Sequence, residues 1–191
     1  MALAHRIGVF LDRDGTLTRP YHYPTLPEHL VPSDGIIEPL RRLAGAGAVL
    51  IIITNQSALA RGYLTEAGFT AAQSSFEREL ATAGVHFDGV YHCPHHPDGI
   101  VKALAVRCDC RKPEPGLLLR AAVEHDINLT RSWMVGDQPS DAEAGRRAGC
   151  RTILIGQPDQ PTTAAQALWT IASDIGADAK RQPAAGPHER R

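Results

Sequence analysis

Short apolar runs alternate with amphipathic segments along this chain, separated by Gly- and Pro-bearing connections. That alternation is the signature of βαβ units and predicts an α/β fold with a mostly parallel sheet. Ile7 to Leu11 reads as the first strand, and Val49 to Ile53, the most hydrophobic run, suits a central strand buried on both faces. Shorter strands are predicted over Val90 to His92, Trp133 to Val135 and Thr152 to Ile155. Helices are predicted over Ile36 to Ala44, with Ser33 or Asp34 as cap, over Thr65 to Ala83, and over Pro115 to His125 with proline in the first turn. Two more are expected, Ser140 to Ala148 ending at Gly149, and Ala164 to Ile175. Residues 19 to 34 hold four prolines and read as an ordered loop, whereas the polar residues 177 to 191 read as a disordered tail. With no repeat or second apolar unit in view, residues 1 to 176 are expected to form one domain.

Composition narrows the function. With 43% hydrophobic and 21% charged residues, the 191-residue chain can bury a full core. A formal net charge of −1 is a poor footprint for a nucleic-acid binder, so no nucleic-acid partner is expected. No apolar run approaches the roughly 18 residues a membrane helix needs, so no membrane partner is expected either. The opening MALAHRIGVFLDRDG reaches charge too soon for a signal peptide, and a cytoplasmic monomer is expected. Of the four cysteines, Cys150 stands alone in AGCRT and reads as a small buried apolar residue. The clustered Cys93, Cys108 and Cys110 read as metal ligands rather than disulfides in a reducing compartment.

Candidate chemistry gathers in four clusters: Asp12/Asp14, Thr54-Asn55, Arg111-Lys112 and Asp137/Asp141. All but Arg111-Lys112 directly follow a predicted strand, where parallel sheets form their ligand crevice. An exposed strand end with an Asx turn would also account for Asp12-x-Asp14. The alternative is a nucleophile and a proton-transfer group around a divalent metal, since a carboxylate can attack phosphorus and a second acid can protonate the leaving oxygen. Magnesium suits such a site because it prefers carboxylates, substrate phosphate and water. Thr54-Asn55 is either a helix cap or a hydroxyl with free amides for phosphate oxygens. Lys112 is either surface charge or a compact cation for a phosphoryl group. Asp141 suits a helix cap, and Asp137, leaving a strand through Gly136, is better placed as a metal ligand.

Residues 92 to 113 offer Cys93-x-His95 and, after twelve intervening residues, Cys108-x-Cys110. A Cys₃His set suits tetrahedral structural zinc, with His92 and His96 as rival imidazoles. Such a staple would give one shape to a loop with little apolar content. It would also fix where the adjoining Arg111 and Lys112 point.

The order DRDGT, ITN, RKP and GDxxSD resembles the haloacid dehalogenase (HAD) superfamily of phosphohydrolases over residues 7 to about 155. This implies a Rossmann-like three-layer sandwich, with the HAD-type fold carrying no large cap domain but a zinc-stapled loop. It further implies Asp12 as nucleophile, Asp14 as general acid/base, Thr54 and Lys112 as phosphoryl stabilisers, and magnesium bound by Asp12, the backbone oxygen of Asp14, and Asp137. The runs TNQSALARGYLTE, CPHHPDG and CRKPEPGLLL resemble the histidinol-phosphatase-like branch and, within it, the heptose 1,7-bisphosphate 7-phosphatases. By that likeness Arg111 recognises the distal part of a small phosphorylated sugar, while Pro20, Tyr21, His22, Tyr23, Thr54, Asn55, Gln56 and Ser57 line its pocket. Arg61, Arg111 and Lys102 are candidate partners for a second phosphate.

Three departures bear on substrate. Gln138 stands where such phosphatases often have lysine, Tyr21-His22-Tyr23 where they tend to read HGY, and Ser57-Ala58 where they read SG. The expected activity is magnesium-dependent removal of the 7-phosphate of D-glycero-D-manno-heptose 1,7-bisphosphate. The alternatives are a histidinol-phosphate or other small sugar-phosphate phosphatase and, from another class, a zinc-stabilised binding module without catalysis.

Overall fold

The computed structural model describes residues 6–159 and 162–181. Five parallel strands form one sheet: β1 (Gly8–Leu11), β2 (Val49–Asn55), β3 (Gly89–Cys93), β4 (Trp133–Gly136) and β5 (Arg151–Leu154), in the order β3-β2-β1-β4-β5. Phe10 pairs with Ile51 on one side and Met134 on the other, so β1 sits at the centre with β2 and β4 as neighbours.

Six helices connect and cover the sheet: α1 (Ile37–Gly45), α2 (Ser57–Ala60), α3 (Glu66–Thr82), α4 (Gly116–Glu124), α5 (Pro139–Ala148) and α6 (Ala164–Arg181). Side chains alternate across a strand, which divides the core in two. Val9, Leu11, Leu50, Ile52, Trp133 and Val135 pack on one face with Leu40 and Leu43 of α1, Phe76 and Leu80 of α3, and Leu168 and Ile171 of α6. Phe10, Val49, Ile51, Ile53 and Met134 pack on the other with Leu118 and Ala121 of α4 and Ala144 and Ala148 of α5. The result is the three-layer sandwich that the motif order implies. Full burial of an apolar side chain contributes roughly 1.5–3 kcal/mol, so the unbroken run Val49–Ile53, fully buried throughout, anchors the sheet from β2. That strand is an interior one beside the central β1 rather than the central strand itself.

Several expectations need correcting. α1 has Ile36 at its N-cap without a side-chain bond, so neither Ser33 nor Asp34 caps it; Asp34 instead accepts from Arg19 at 2.8 Å. Between β2 and α3 the chain also forms the single turn α2, which the sequence pattern did not indicate. Helix α6 runs on from Ile175 to Arg181, five residues into the expected tail. Its last stretch, ADAKR, is rich in helix formers and meets no proline before Pro183. The remainder of that tail, residues 182 to 191, lies outside the described residues. Thr65 does cap α3, its hydroxyl accepting from Gly68 N at 3.1 Å. Cys150 is buried, and burial pushes its thiol up to about 12. Among the described residues no helix is long and apolar enough to cross a membrane.

Candidate active site

Each strand stops at the same edge of the sheet, and the polar residues that follow meet there. Asp12 leaves β1 with its backbone N–H donating to Val135 O at 2.9 Å, which holds the strand in register to its last residue. The chain then turns sharply. Gly15 has φ +88°, and a Cβ built on it would lie 2.6 Å from Asp137 Oδ2. Only glycine satisfies both the conformation and the approach. Gly136 is required in a similar way, since a Cβ there would overlap the Asp141 carboxylate.

Lys112 occupies the centre. It is 3% exposed although it belongs to a loop. Its ammonium donates to Asp12 Oδ1 at 2.5 Å and to Ile53 O at 2.8 Å, and pairs with Asp141 Oδ1 at 2.7 Å. Burial disfavours the ammonium, but the two carboxylates outweigh it and hold the amine above its usual value. Burial pushes Asp12 up to about 8 against the pull of Lys112, with Asp141 and Asp14 adding to the rise. Asp137 is also raised, first by burial and then by Asp141. Three acids crowded into a buried site leave an excess of negative charge that one ammonium does not balance.

Oxygens of Asp12, Asp137 and Asp141 lie within 4.8 Å of one another. Their bonds separate their roles. Asp141 uses Oδ1 on Lys112 and Oδ2 to accept from Gln138 N at 3.0 Å, capping α5 while fixing the lysine. The sequence suggested only the cap. Asp137 accepts from Gln138 Nε2 on Oδ2 at 2.8 Å, while its Oδ1 is buried without a partner. A buried carboxylate oxygen without a donor is costly in isolation, by about 1–3 kcal/mol, and a cation is the natural complement.

The other expected residues surround this centre. Thr54 is buried at the end of β2, and Gln56 Nε2 donates to both Thr54 Oγ1 (2.8 Å) and Asp14 Oδ2 (2.7 Å). Asn55 grips the backbone of Lys112 at both ends: its Nδ2 donates to Lys112 O at 3.0 Å and its Oδ1 accepts from Lys112 N at 3.1 Å. A cleft of about 370 Å³ is lined by Asp14, Gly15, Pro20, Tyr21, His22, Asp137 and Gln138. A smaller one of about 170 Å³ is lined by Asp14, Tyr21, Tyr23, Asn55, Gln56 and Ser57, among others. Arg61 approaches His96 at 3.5 Å, and its guanidinium sits 6.0 Å from the Tyr23 ring centre. Arg111 Nη1 donates to His95 O at 3.3 Å. Lys102 is exposed, unlike half-buried Arg61 and Arg111.

Behind Arg111 the second constellation closes. Ligand atoms of Cys93, His95, Cys108 and Cys110 all lie within 4.8 Å of one another. The three sulfurs are 3.2 to 3.6 Å apart, and His95 Nδ1 is 3.3 Å from Cys110 Sγ. Tetrahedral zinc with bonds of about 2.3 Å needs sulfurs roughly 3.8 Å apart, so the set closely fits one ion. Burial pushes Cys110 up to about 11, with help from Cys108. The rival imidazoles are engaged elsewhere, His92 with Glu66 at 3.2 Å and His96 with Arg61. The loop is also tied to α2, because Ala60 O accepts from Ile100 N (2.8 Å) and Val101 N (2.9 Å).

Sequence reading missed Arg13, which is 1% exposed and donates to both Asp14 oxygens. Its position between the two acids was the available signal, but charged residues beside an active site are usually solvated.

Comparisons with known proteins give the family. Residues 109–177 match the HAD-hydrolase-like family model. A D-glycero-beta-D-manno-heptose-1,7-bisphosphate 7-phosphatase from Yersinia pestis is 40% identical over 169 residues, 87% of this chain and 90% of the relative. Another from Pasteurella multocida is 41% identical over 156 residues, 82% and 84% respectively. Among solved structures, the D,D-heptose 1,7-bisphosphate phosphatase of B. bronchiseptica, complexed with magnesium and phosphate, aligns with a TM-score of 0.73 at 27% identity, covering 92% of this chain and 99% of that one. A HAD-like protein from Mesorhizobium loti aligns with a TM-score of 0.82 at 32% identity, covering 91% and 87%. Relatives named as heptose-1,7-bisphosphate 7-phosphatases match more than four-fifths of this chain and of their own length at about 40% identity: the chain belongs to that family of HAD-like phosphatases.

Proposed function

We propose that this protein removes the 7-phosphate of D-glycero-beta-D-manno-heptose 1,7-bisphosphate through a phosphoryl group carried on Asp12. The observation that carries the reading is the buried cluster in which Lys112 bridges Asp12 and Asp141 while Asp137 keeps an unpartnered oxygen. The names of the relatives supply the substrate.

A carboxylate oxygen of Asp12 attacks phosphorus, and the bond from phosphorus to the sugar C7 oxygen breaks. Asp14 gives its proton to that oxygen as it leaves. Asp14 then accepts a proton from water as the water oxygen attacks the aspartyl phosphate. The bond from phosphorus to Asp12 breaks, orthophosphate leaves, and both acids return to their starting forms. Lys112 holds Asp12 in place, and with the Thr54 hydroxyl it offsets charge on the transferring oxygens. Asp141 positions Lys112.

Asp12, Asp137 and the backbone oxygen of Asp14 would hold magnesium, which supplies the positive charge that lets two carboxylates approach an anionic phosphate. The unpartnered Asp137 oxygen supports this assignment over one that uses Asp141. Cys93, His95, Cys108 and Cys110 would hold zinc with all four positions filled by protein, a structural rather than a catalytic arrangement. Arg111 and Arg61, presented beside that loop, suit the distal phosphate, with Pro20 to Tyr23 and Asn55 to Ser57 as pocket walls. Clustered thiols persist in a reducing compartment, which supports a cytoplasmic location, and the chain is read as a monomer.

Turnover of heptose 1,7-bisphosphate against histidinol phosphate tests the substrate. A preference of at least tenfold in kcat/KM for the bisphosphate is expected. A tenfold preference for histidinol phosphate would overturn it.

A further inference from the structure

We infer that Arg13 is a positioning residue for catalysis, orienting the proton-transfer carboxylate of Asp14 through a fixed, fully buried fork. This rests on the reading of Asp14 as general acid/base. Adjacent residues in an extended strand point to opposite sides, so neighbouring side chains seldom pair. The turn after Asp12 changes that, and Arg13 Nε and Nη2 donate to Asp14 Oδ1 and Oδ2 at 2.9 and 3.0 Å.

Arg13 is the largest fully buried side chain in the molecule's described part, at 1% exposure. A buried guanidinium requires acceptors for its N–H groups and a charge partner. The Asp14 oxygens are the acceptors, and Asp14 is the charge partner in the ionised half of the cycle, after its proton has gone to the leaving oxygen. The remaining contacts hold the guanidinium itself. Its Nη1 donates to Gln73 Oε1 at 3.2 Å, and its Cζ lies over the Phe69 ring, 5.5 Å from the ring centre, both residues on α3. Gln73 is braced in turn by Glu77, one helical turn on, at 3.1 Å. The backbone is pinned too, since Arg13 O accepts from Thr18 N and Thr18 Oγ1 at 2.9 and 3.2 Å.

Asp14 is therefore gripped in one plane by two parallel N–H groups from Arg13 and from another side by Gln56 Nε2 at 2.7 Å. Its side chain is still one-quarter exposed and borders the clefts lined by Tyr21. A carboxylate held by a rigid fork and open to the cleft is oriented before substrate arrives. Lysine cannot reproduce this, because an ammonium is a point charge with no planar fork. Helix α3 thus reaches the chemistry through Gln73 and Arg13 without touching substrate.

The test compares wild type, Arg13→Lys, Arg13→Ala and Gln73→Leu, with Asp12→Asn and Asp14→Asn as controls, on heptose 1,7-bisphosphate and on an aryl phosphate. An aryl leaving group needs little protonation, so misplacing Asp14 should harm the sugar ester more. Arg13→Lys is expected to lower kcat on the sugar ester about 100-fold with KM within threefold, and on the aryl ester by less than a tenth of that loss. Guanidinium ion should restore part of the Arg13→Ala activity. Gln73→Leu, which keeps the fork and loosens its brace, should lose three- to tenfold in kcat on the sugar ester and serves if the Arg13 variants do not fold. Wild-type kcat in Arg13→Lys, equal losses on the two esters, or an unaffected Gln73→Leu would overturn the proposal. Activity retained in Asp12→Asn or Asp14→Asn would instead sink the underlying mechanism.

Discussion

Asn55 clamps Lys112 by its backbone, accepting from the Lys112 N–H at 3.1 Å and donating to its carbonyl at 3.0 Å. The end of β2 thereby holds the end of the Cys/His loop. Lys112 is thus as well placed as a residue on a strand, although 57 residues separate the partners. Asn55→Ala removes both bonds. We expect a loss of about 1–3 kcal/mol in stability and a fall in kcat of about tenfold or more as the ammonium drifts from Asp12. Unchanged kcat at an unchanged melting temperature would show that the clamp is dispensable.

Asp141 combines a helix cap with the second carboxylate on Lys112. Asp141→Asn keeps the cap geometry and removes the charge. Breaking a buried ion pair costs on the order of 3–5 kcal/mol, reduced here because Asp12 remains. The lysine should then lean wholly on Asp12, and kcat should fall at least tenfold. Denaturant unfolding and steady-state kinetics on one preparation measure both effects. A variant with full activity would show that Asp141 acts only as a cap.

Gly15→Ala places a methyl group 2.6 Å from Asp137 Oδ2 on a residue with φ +88°. Moving Asp137 should raise the magnesium concentration for half-maximal activity at least tenfold, and the strained backbone adds about 1 kcal/mol of destabilisation. A magnesium titration checks this. An unshifted midpoint would remove Asp137 from the metal site.

Gln138 is an exposed amide spent on Asp137 Oδ2. Gln138→Lys restores a cation at the rim of the cleft. An exposed charge contributes roughly 0.2–1 kcal/mol, so KM for the bisphosphate should fall by up to about fivefold at low salt and less at high salt. A higher KM would argue that the amide, not a missing charge, suits this substrate.

Stripping the Cys/His site and then restoring magnesium alone should leave the enzyme inactive and lower its melting temperature, and zinc should reverse both. Metal analysis should find about one zinc per chain. Fully active, zinc-free protein would remove the staple from the account.

Much of this was legible in the sequence. The run Val49–Ile53 suits a doubly buried strand, and Asp12, Thr54 and Asp137 come at or just past strand ends, where parallel sheets gather ligands. The Cys93-x-His95 and Cys108-x-Cys110 spacings identified residues that do converge: the short spacing keeps each pair together, and the path of the loop brings the two pairs within 4.8 Å. Arg13 and the second bond of Asp141 were not legible, since both depend on where a side chain turns after a strand ends. The true cap position of α1 was hidden for a related reason: Asp34 is drawn to Arg19, a partner that sequence does not show. Helix α6 extended further than expected because no proline interrupts it before Pro183.

Replacing Asp12 with asparagine tests the central claim most directly, because an amide cannot accept a phosphoryl group. In folded, magnesium-loaded Asp12→Asn, turnover of heptose 1,7-bisphosphate should fall below about a thousandth of wild type, with no acid-stable phosphoryl label on the protein. Activity above that level would contradict covalent catalysis by Asp12.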